Sequence, residues 1–186
     1  MLRGRKMKAY PPLETIKSIL DYDPDTGIFR WKVAPNKRIK KGQIASNKSC
    51  NGYIRISYQN QMYLAHRLAW FIYYGYLPKQ LDHINRNKSD NRIYNLRKCN
   101  GSQNNINSLP YKNRKYKGIY FEKRCGKYQA QIQHNYKRYF LGRFDTPEAA
   151  ARAYNAKALE LFGEFAYLNE VDQSEQLLFE NIKNKT

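Results

Sequence analysis

From Leu13 to Leu20 the apolar side chains fall at positions 13, 16, 19 and 20, the spacing of one face of a helix. LETIKSILDYD therefore predicts a short amphipathic helix, closed by the turn signal DPDTG and followed by a strand in GIFRWKV. Residues 36–51 are basic and polar and read as a loop region. After Gly52 the pattern changes period. YIRISY alternates as a strand does, Asn60-Gln61 makes a turn, and MYLAHRLAWFIYYG starts as the returning strand and continues into a helix ending at Gly75. This hairpin and helix supply the apolar material that the polar segment after Pro78 lacks.

The second half is patterned more cleanly. GIYFEKR, KYQAQIQHN and KRYFLGRF predict three strands, with turns at Cys125-Gly126 and Asn135-Tyr136. TPEAAARAYNAKALELFG predicts a helix with Thr146 as N-cap, Pro147 at its first position, Glu148 in its first turn and Gly163 at its end. Strand alternation puts Ala130 and Ile132 on one face and Gln129, Gln131 and Gln133 on the other. The apolar face is expected to receive the helix stripe Ala150, Tyr154, Ala158 and Leu161. The organisation expected is a basic arm over 1–12, a first domain over 13–107, a linker over 108–114, a second domain over 115–170 and a tail over 171–186, in which DQSEQLLFENIKNKT either forms a short helix or frays. The fold class is α+β.

Charge changes the picture. The 186 residues carry 34 Lys+Arg against 15 Asp+Glu, a formal +19, which makes an anionic polymer the first partner to consider. Seventeen tyrosines, many beside Lys or Arg, offer an apolar body with a hydroxyl for phosphate or base. The cysteines, at 50, 99 and 125, lie too far apart for a zinc ribbon or a disulfide framework and fit a reducing cytosol. No apolar run approaches the roughly 18 residues of a membrane helix. The expectation is a soluble, cytoplasmic, nucleoid-associated protein that is not secreted. Nucleophile-elbow, P-loop and dinucleotide-glycine motifs are all missing from the chain, which leaves serine hydrolysis, nucleotide hydrolysis and Rossmann redox chemistry without support.

The candidate chemistry lies in LDHINRNKSDNRIYNLRKCNGSQNN, residues 81–105. Asp82 is a hard oxygen donor suited to Mg²⁺, His83 can take a proton near neutral pH, and amide oxygens such as that of Asn104 can complete a sparse coordination shell. Asn95 follows His83 by twelve residues and Asn104 by twenty-one, the latter at an expected helix start.

Four ordered motifs, AHRLAWF, LDHINRNKSD, NRIYNLR and GSQNN, resemble the HNH nucleases of the ββα-metal fold, in the homing-endonuclease branch patterned HRL, DHI, NRxxNL and SQN. The resemblance covers about residues 64–105, and DYDPDTGIFRWK looks like a segment often found upstream. It implies that His83 is the general base, that Asp82 and Asn104 bind one Mg²⁺ or Mn²⁺, and that Asn95 bonds across the loop to hold the backbone around His83. Asn105 is the neighbouring alternative to Asn104. An Asn in place of a second His at the last position implies a single cation. For His66 and Arg67 two readings stand: Arg67 on a phosphate with His66 near the site, or both packing the junction of hairpin and helix. His134 is expected at the solvent.

YKGIYFEKRCGKYQAQI, YFLGRFDTPEAAARAYNAKALELFG and AYLN resemble the plant ethylene-response-factor (APETALA-two type) DNA-binding domain over about 115–169. What this implies is a three-stranded sheet in the major groove with a helix behind, and DNA-facing positions at Lys117, Tyr120, Glu122, Arg124, Gln131, Gln133, Arg138 and Phe140. Several of these are Arg or Trp in the plant proteins, so the plant target does not carry over. Together the resemblances imply a phage or intron-encoded homing endonuclease acting as a monomer on double-stranded DNA, with a divalent metal and no small-molecule cofactor. The alternative is a DNA-binding regulator carrying an inactive HNH remnant.

Overall fold

The computed structural model describes residues 10–111 and 114–171. The expected basic arm up to residue 9, part of the expected linker at 112–113 and the tail from 172 lie outside the described residues. Two compact units divide the chain, the first ending at Gly101 and the second beginning at Ser102.

The first unit opens with helix α1, Leu13–Ile19, whose Ile16 and Ile19 turn inward. Helix does not continue into LDY as expected. Leu20–Tyr22 is instead strand β1, paired antiparallel with β2, Phe29–Trp31, in the register Leu20↔Trp31 and Tyr22↔Phe29. The local spacing favours helix, but β1 gains ladder bonds and the burial of Leu20, which local propensity does not contain. The turn between the strands is an Asx turn, in which the Asp23 carboxylate accepts from Asp25 N–H and the Thr26 hydroxyl.

Within the expected loop, Asn47–Lys48 forms β3 and pairs with β4, Ile54–Tyr58, which pairs in turn with β5, Gln61–Leu64. The β4–β5 turn is Gln59-Asn60, one residue earlier than expected, and both residues adopt positive φ, the two-residue geometry that matches strand twist. Helix α2, Ala65–Tyr74, follows directly and stops at Gly75, which is left-handed at φ +80° and donates to Phe71 O. Ile16, Phe29, Trp31, Ile56, Leu68 and Leu96 belong to a single core. The polar segment after Pro78 is held against it as a two-stranded ladder, β6 (Leu81–His83) with β7 (Leu96–Lys98), preceded in β7's case by a 3₁₀ turn over Ile93–Asn95.

Helix α3, Gly101–Ile106, has its residues from Ser102 onward in the second unit. There β8 (Ile119–Glu122), β9 (Lys127–His134) and β10 (Lys137–Phe144) form an antiparallel sheet in the order β10-β9-β8. Helix α4, Pro147–Phe162, packs behind it. Thr146 Oγ1 accepts from Ala149 N–H as the expected N-cap. Ala130, Ala150 and Ala158 are fully buried, so sheet and helix approach closely, with Ile132 and Tyr154 filling the space beside them. Gly118, at φ +76°, permits this approach, since a Cβ there would lie 2.3 Å from the Tyr154 ring. The Asn of AYLN closes the unit: buried Asn169 exchanges bonds with the Lys117 backbone and with the Asn155 amide. His134 is half-buried rather than solvent-exposed, because the Phe162 ring meets it edge to face at 5.2 Å. Among the described residues no helix is long and apolar enough to cross a membrane.

Gly27 tests how tightly the first hairpin is seated. It combines φ +72° with a site where a Cβ would lie 2.5 Å from Arg92 N, whereas Gly42, at φ +82°, has open space around it. Gly42→Ala is expected to cost only left-handed strain, about 1 kcal/mol. Gly27→Ala adds backbone overlap and is expected to cost on the order of 3 kcal/mol or more. Paired urea unfolding curves of the two variants check the difference.

Candidate active site

The β6–β7 register sets Asp82 opposite Arg97 and His83 opposite Leu96. Asp82 is 7% exposed, and its Oδ2 accepts from Arg97 Nη2 at 2.9 Å and from Nε at 3.1 Å. Neither group is buried as a bare charge, which is the condition for burying them at all.

His83 is 4% exposed. Its Nε2 lies 3.5 Å from Asn91 Oδ1, and its ring meets two others, His66 at 5.0 Å edge to face and Tyr53 at 5.9 Å. Burial pulls the His83 imidazole below its ordinary pKa, partly opposed by the Asn91 contact and the carboxylates of Asp82 and Asp90. At neutral pH the ring is therefore a free base, the form that can accept a proton from water.

The loop from 84 to 95 is shaped by its own amides. Asn95 Oδ1 accepts from Asn85 N–H at 3.0 Å, its Nδ2 donates to Asp90 O at 2.8 Å, and its carbonyl accepts from Ile84 N–H at 2.8 Å. Asn95 thus spans the loop immediately after His83. Asp90 adds a second tie, bonding the Asn85 amide and the Arg92 guanidinium, which holds its carboxyl below the usual carboxylate range. The β1–β2 hairpin buttresses the loop from outside: Tyr22 Oη donates to Asn91 O, and Pro24 O accepts from Ile93 N–H. Ser89 Oγ on Gly52 O ties it to the turn before β4.

Arg67 donates to Pro78 O at 2.9 Å, so it joins α2 to the segment leading into β6. His66 packs in the ring cluster with Nδ1 buried and without a hydrogen-bond partner among the described residues. Burial, reinforced by His83 and Arg67, pushes its imidazole down to about 3. Asn104 and its neighbour Asn105 stand exposed on α3, in the second unit, while Asp82 and His83 belong to the first. Asn91, Tyr53 and Arg97 were not singled out by sequence reasoning. Asn91 and Arg97 sit inside NRIYNLR, and their signal was the motif itself; Tyr53 carried none.

Among the described residues, no three His, Cys, Asp or Glu side chains gather as a metal cluster. The donors on offer are one carboxylate and amide oxygens, a hard set that suits Mg²⁺ or Mn²⁺ rather than zinc. Arg97 already balances the Asp82 charge, so a divalent ion there fits best together with an anionic phosphate.

In the second unit, Tyr120, Gln131, Gln133, Arg138 and Phe140 lie on the sheet face away from α4, with Arg124 exposed in the β8–β9 turn. Glu122 binds Arg143 Nε at 2.6 Å. Lys117 is turned elsewhere: its ammonium donates to the carbonyls of Ile106 and Ser108 at 2.6 and 2.8 Å, securing the end of α3. A groove of about 820 Å³ is lined by Gln131, Gln133, Arg138 and Tyr136 and by Asn105 and Ile106 of α3.

Comparison with known proteins bears on these features. Residues 63–106 match the HNH endonuclease family. An uncharacterised HNH endonuclease of Acanthamoeba polyphaga mimivirus is 34% identical over 120 residues, which cover 63% of this chain and 63% of that protein. An AP2-like ethylene-responsive transcription factor of Arabidopsis thaliana is 40% identical over 60 residues, 32% of this chain and 12% of that protein. The chain thus spans less than two thirds of the length of these curated relatives. No solved structure matches. Asp82, His83 and Asn95 all lie within the residues that match this family, and the matches support a nuclease function.

His66 generates a pH prediction. The unfolded chain protonates it near 6.5 and the folded chain only near 3. Between these values the unfolded state holds the extra proton, so stability falls as pH falls. By pH 5 this residue alone is expected to remove about 2 kcal/mol. Urea midpoints at pH 7 and pH 5 should drop for the wild type and drop less for His66→Phe.

Proposed function

We propose that this protein is a DNA endonuclease of the homing type, phage or intron-encoded, which acts as a monomer in the cytoplasm on double-stranded DNA. The observation that carries the reading is His83, a buried imidazole kept unprotonated beside the Arg97-paired carboxylate of Asp82. His83 takes a proton from water as the water oxygen bonds to phosphorus. The phosphorus–oxygen bond to the 3′ oxygen breaks in line and that oxygen takes a proton from solvent, leaving a 5′-phosphate and a 3′-hydroxyl. Asp82, with Asn104 or Asn105, would hold one Mg²⁺ or Mn²⁺. When bound, such an ion neutralises charge at the scissile phosphate and stabilises the departing oxygen. Asn95 positions His83 through the loop backbone, and Arg97 holds the Asp82 carboxylate in place by its paired hydrogen bonds. The C-terminal sheet docks in the major groove and selects the target through Tyr120, Arg124, Gln131, Gln133, Arg138 and Phe140. Arg67 and Lys117, committed to backbone carbonyls, support this machine rather than touch phosphate.

Two observations favour a second reading, a DNA-binding regulator whose nuclease segment is inactive: His83 is covered by packed rings, and Asp82 already has a cation. Relaxation of supercoiled plasmid carrying source-genome DNA, with and without Mg²⁺, separates the two. Under the nuclease reading Mg²⁺-dependent nicking appears, and His83→Ala lowers its rate by about 10²–10⁴-fold while duplex binding is retained. Asp82→Ala removes the Mg²⁺ dependence together with the activity. Tight binding to that DNA with no cutting by the wild type gives the regulator.

A further inference from the structure

The sheet face of the second unit has a chemical composition that specifies more than an ability to bind DNA. Pairing in the sheet brings Gln129 opposite Tyr120 on one side and Arg143 on the other, Gln131 opposite Phe140, and Gln133 opposite Arg138. The alternate residues Ala130 and Ile132 are buried under α4, so the three glutamine side chains share the outward face. Phe140 is 55% exposed and Tyr120 40% exposed, although both are large and apolar. Arg143 is occupied by Glu122 and lies over the Phe140 ring at 5.4 Å, whereas Arg138 stands exposed beside Gln133.

Each residue type has a preferred base edge. A glutamine amide donates to N7 and accepts from N6–H of adenine in a two-bond pairing that no other base offers in the major groove, and an apolar ring meets the thymine methyl in the same groove. Arginine pairs in the same two-bond manner with guanine. Spacing agrees with this chemistry. Residues two apart on a strand are separated by about 6.6–6.8 Å, and base pairs two apart by about 6.8 Å. Gln131 and Gln133 are therefore in step with two pairs separated by one. Phe140, side by side with Gln131, is placed for the thymine methyl at or next to the Gln131 pair.

Resting on the reading that this sheet selects the target, we infer that it recognises A·T base pairs at two positions separated by one, read by Gln131 with Phe140 and by Gln133, with a guanine beside the second read by Arg138. The glutamines at 131 and 133 are specificity-determining residues, and Phe140 contributes by apolar contact.

Selection of the full-length His83→Ala chain against a random duplex library, followed by binding to single-base variants of the selected site, tests this. The expected motif has A·T at two positions with one pair between them. Gln131→Ala flattens preference at the first and Gln133→Ala at the second, each by roughly 5- to 150-fold, leaving the other position intact. Phe140→Ala weakens discrimination of thymine from uracil at the first, the methyl being the one difference between those bases. A selected motif of G·C pairs that the glutamine variants alter overturns the inference while leaving the sheet as the reader. A motif that no sheet variant alters, or no motif at all, overturns the reading of the sheet itself. Thermal unfolding of each variant separates loss of contact from loss of fold, as the exposed Gln133 and Phe140 and the half-buried Gln131, all outside the core, are expected to leave the melting temperature nearly unchanged.

Discussion

The antiparallel register of β6 with β7 is the constraint on which the candidate active site depends. Three residue pairs align Asp82 with Arg97 and His83 with Leu96. A shift by one residue would turn each side chain to the opposite face, exposing Leu96 and separating the carboxylate from its guanidinium. Such a short ladder has little stability of its own. It is held because Leu96 belongs to the core of the first unit and because Asn95 ties the intervening loop at its start and its middle. The chemistry and the packing are thus carried by neighbouring residues on one strand.

The charge of the chain has a local counterpart in this arrangement. With a formal +19, carboxylates are scarce, and those near the site are each given a guanidinium: Asp82 has Arg97 and Asp90 has Arg92. His66 and His83, by contrast, are kept neutral by burial. The centre of the site therefore adds little net positive charge of its own. Under the proposed reading, the attraction for a polyanion comes mainly from lysines and arginines elsewhere on the chain, whose phosphate contacts set affinity and its dependence on salt.

Where the determining interactions were local, they were legible in the sequence. The alternation of YIRISY, the stop at Gly75, the Thr146-Pro147 helix start and the inward Ala130 and Ile132 all follow from neighbours within a few positions. What was not legible depends on partners distant in the chain. LDY reads as helix until its pairing with FRW is known, and His134 reads as exposed until Phe162 is placed beside it. Lys117 falls at a position implied to face DNA, yet its ammonium finds the carbonyls of residues 106 and 108. Within the candidate site, the motif spacing singles out Asp82, His83 and Asn95, which the β6–β7 ladder and its loop hold close in the chain. The ring cluster of Tyr53, His66 and His83 joins three separate elements, and no spacing rule anticipates it.

The close seating of Gly27 against the backbone of Asn91 and Arg92 has a consequence for inheritance. Family similarity begins at residue 63, but the loop that follows His83 is braced by a hairpin some sixty residues upstream, through Tyr22, Pro24 and Gly27. A gene fragment beginning at residue 63 would carry Asp82, His83 and Asn95 without the wall they lean on. A self-supporting unit of this chain must therefore include the hairpin, and that unit is longer than the segment that matches the family.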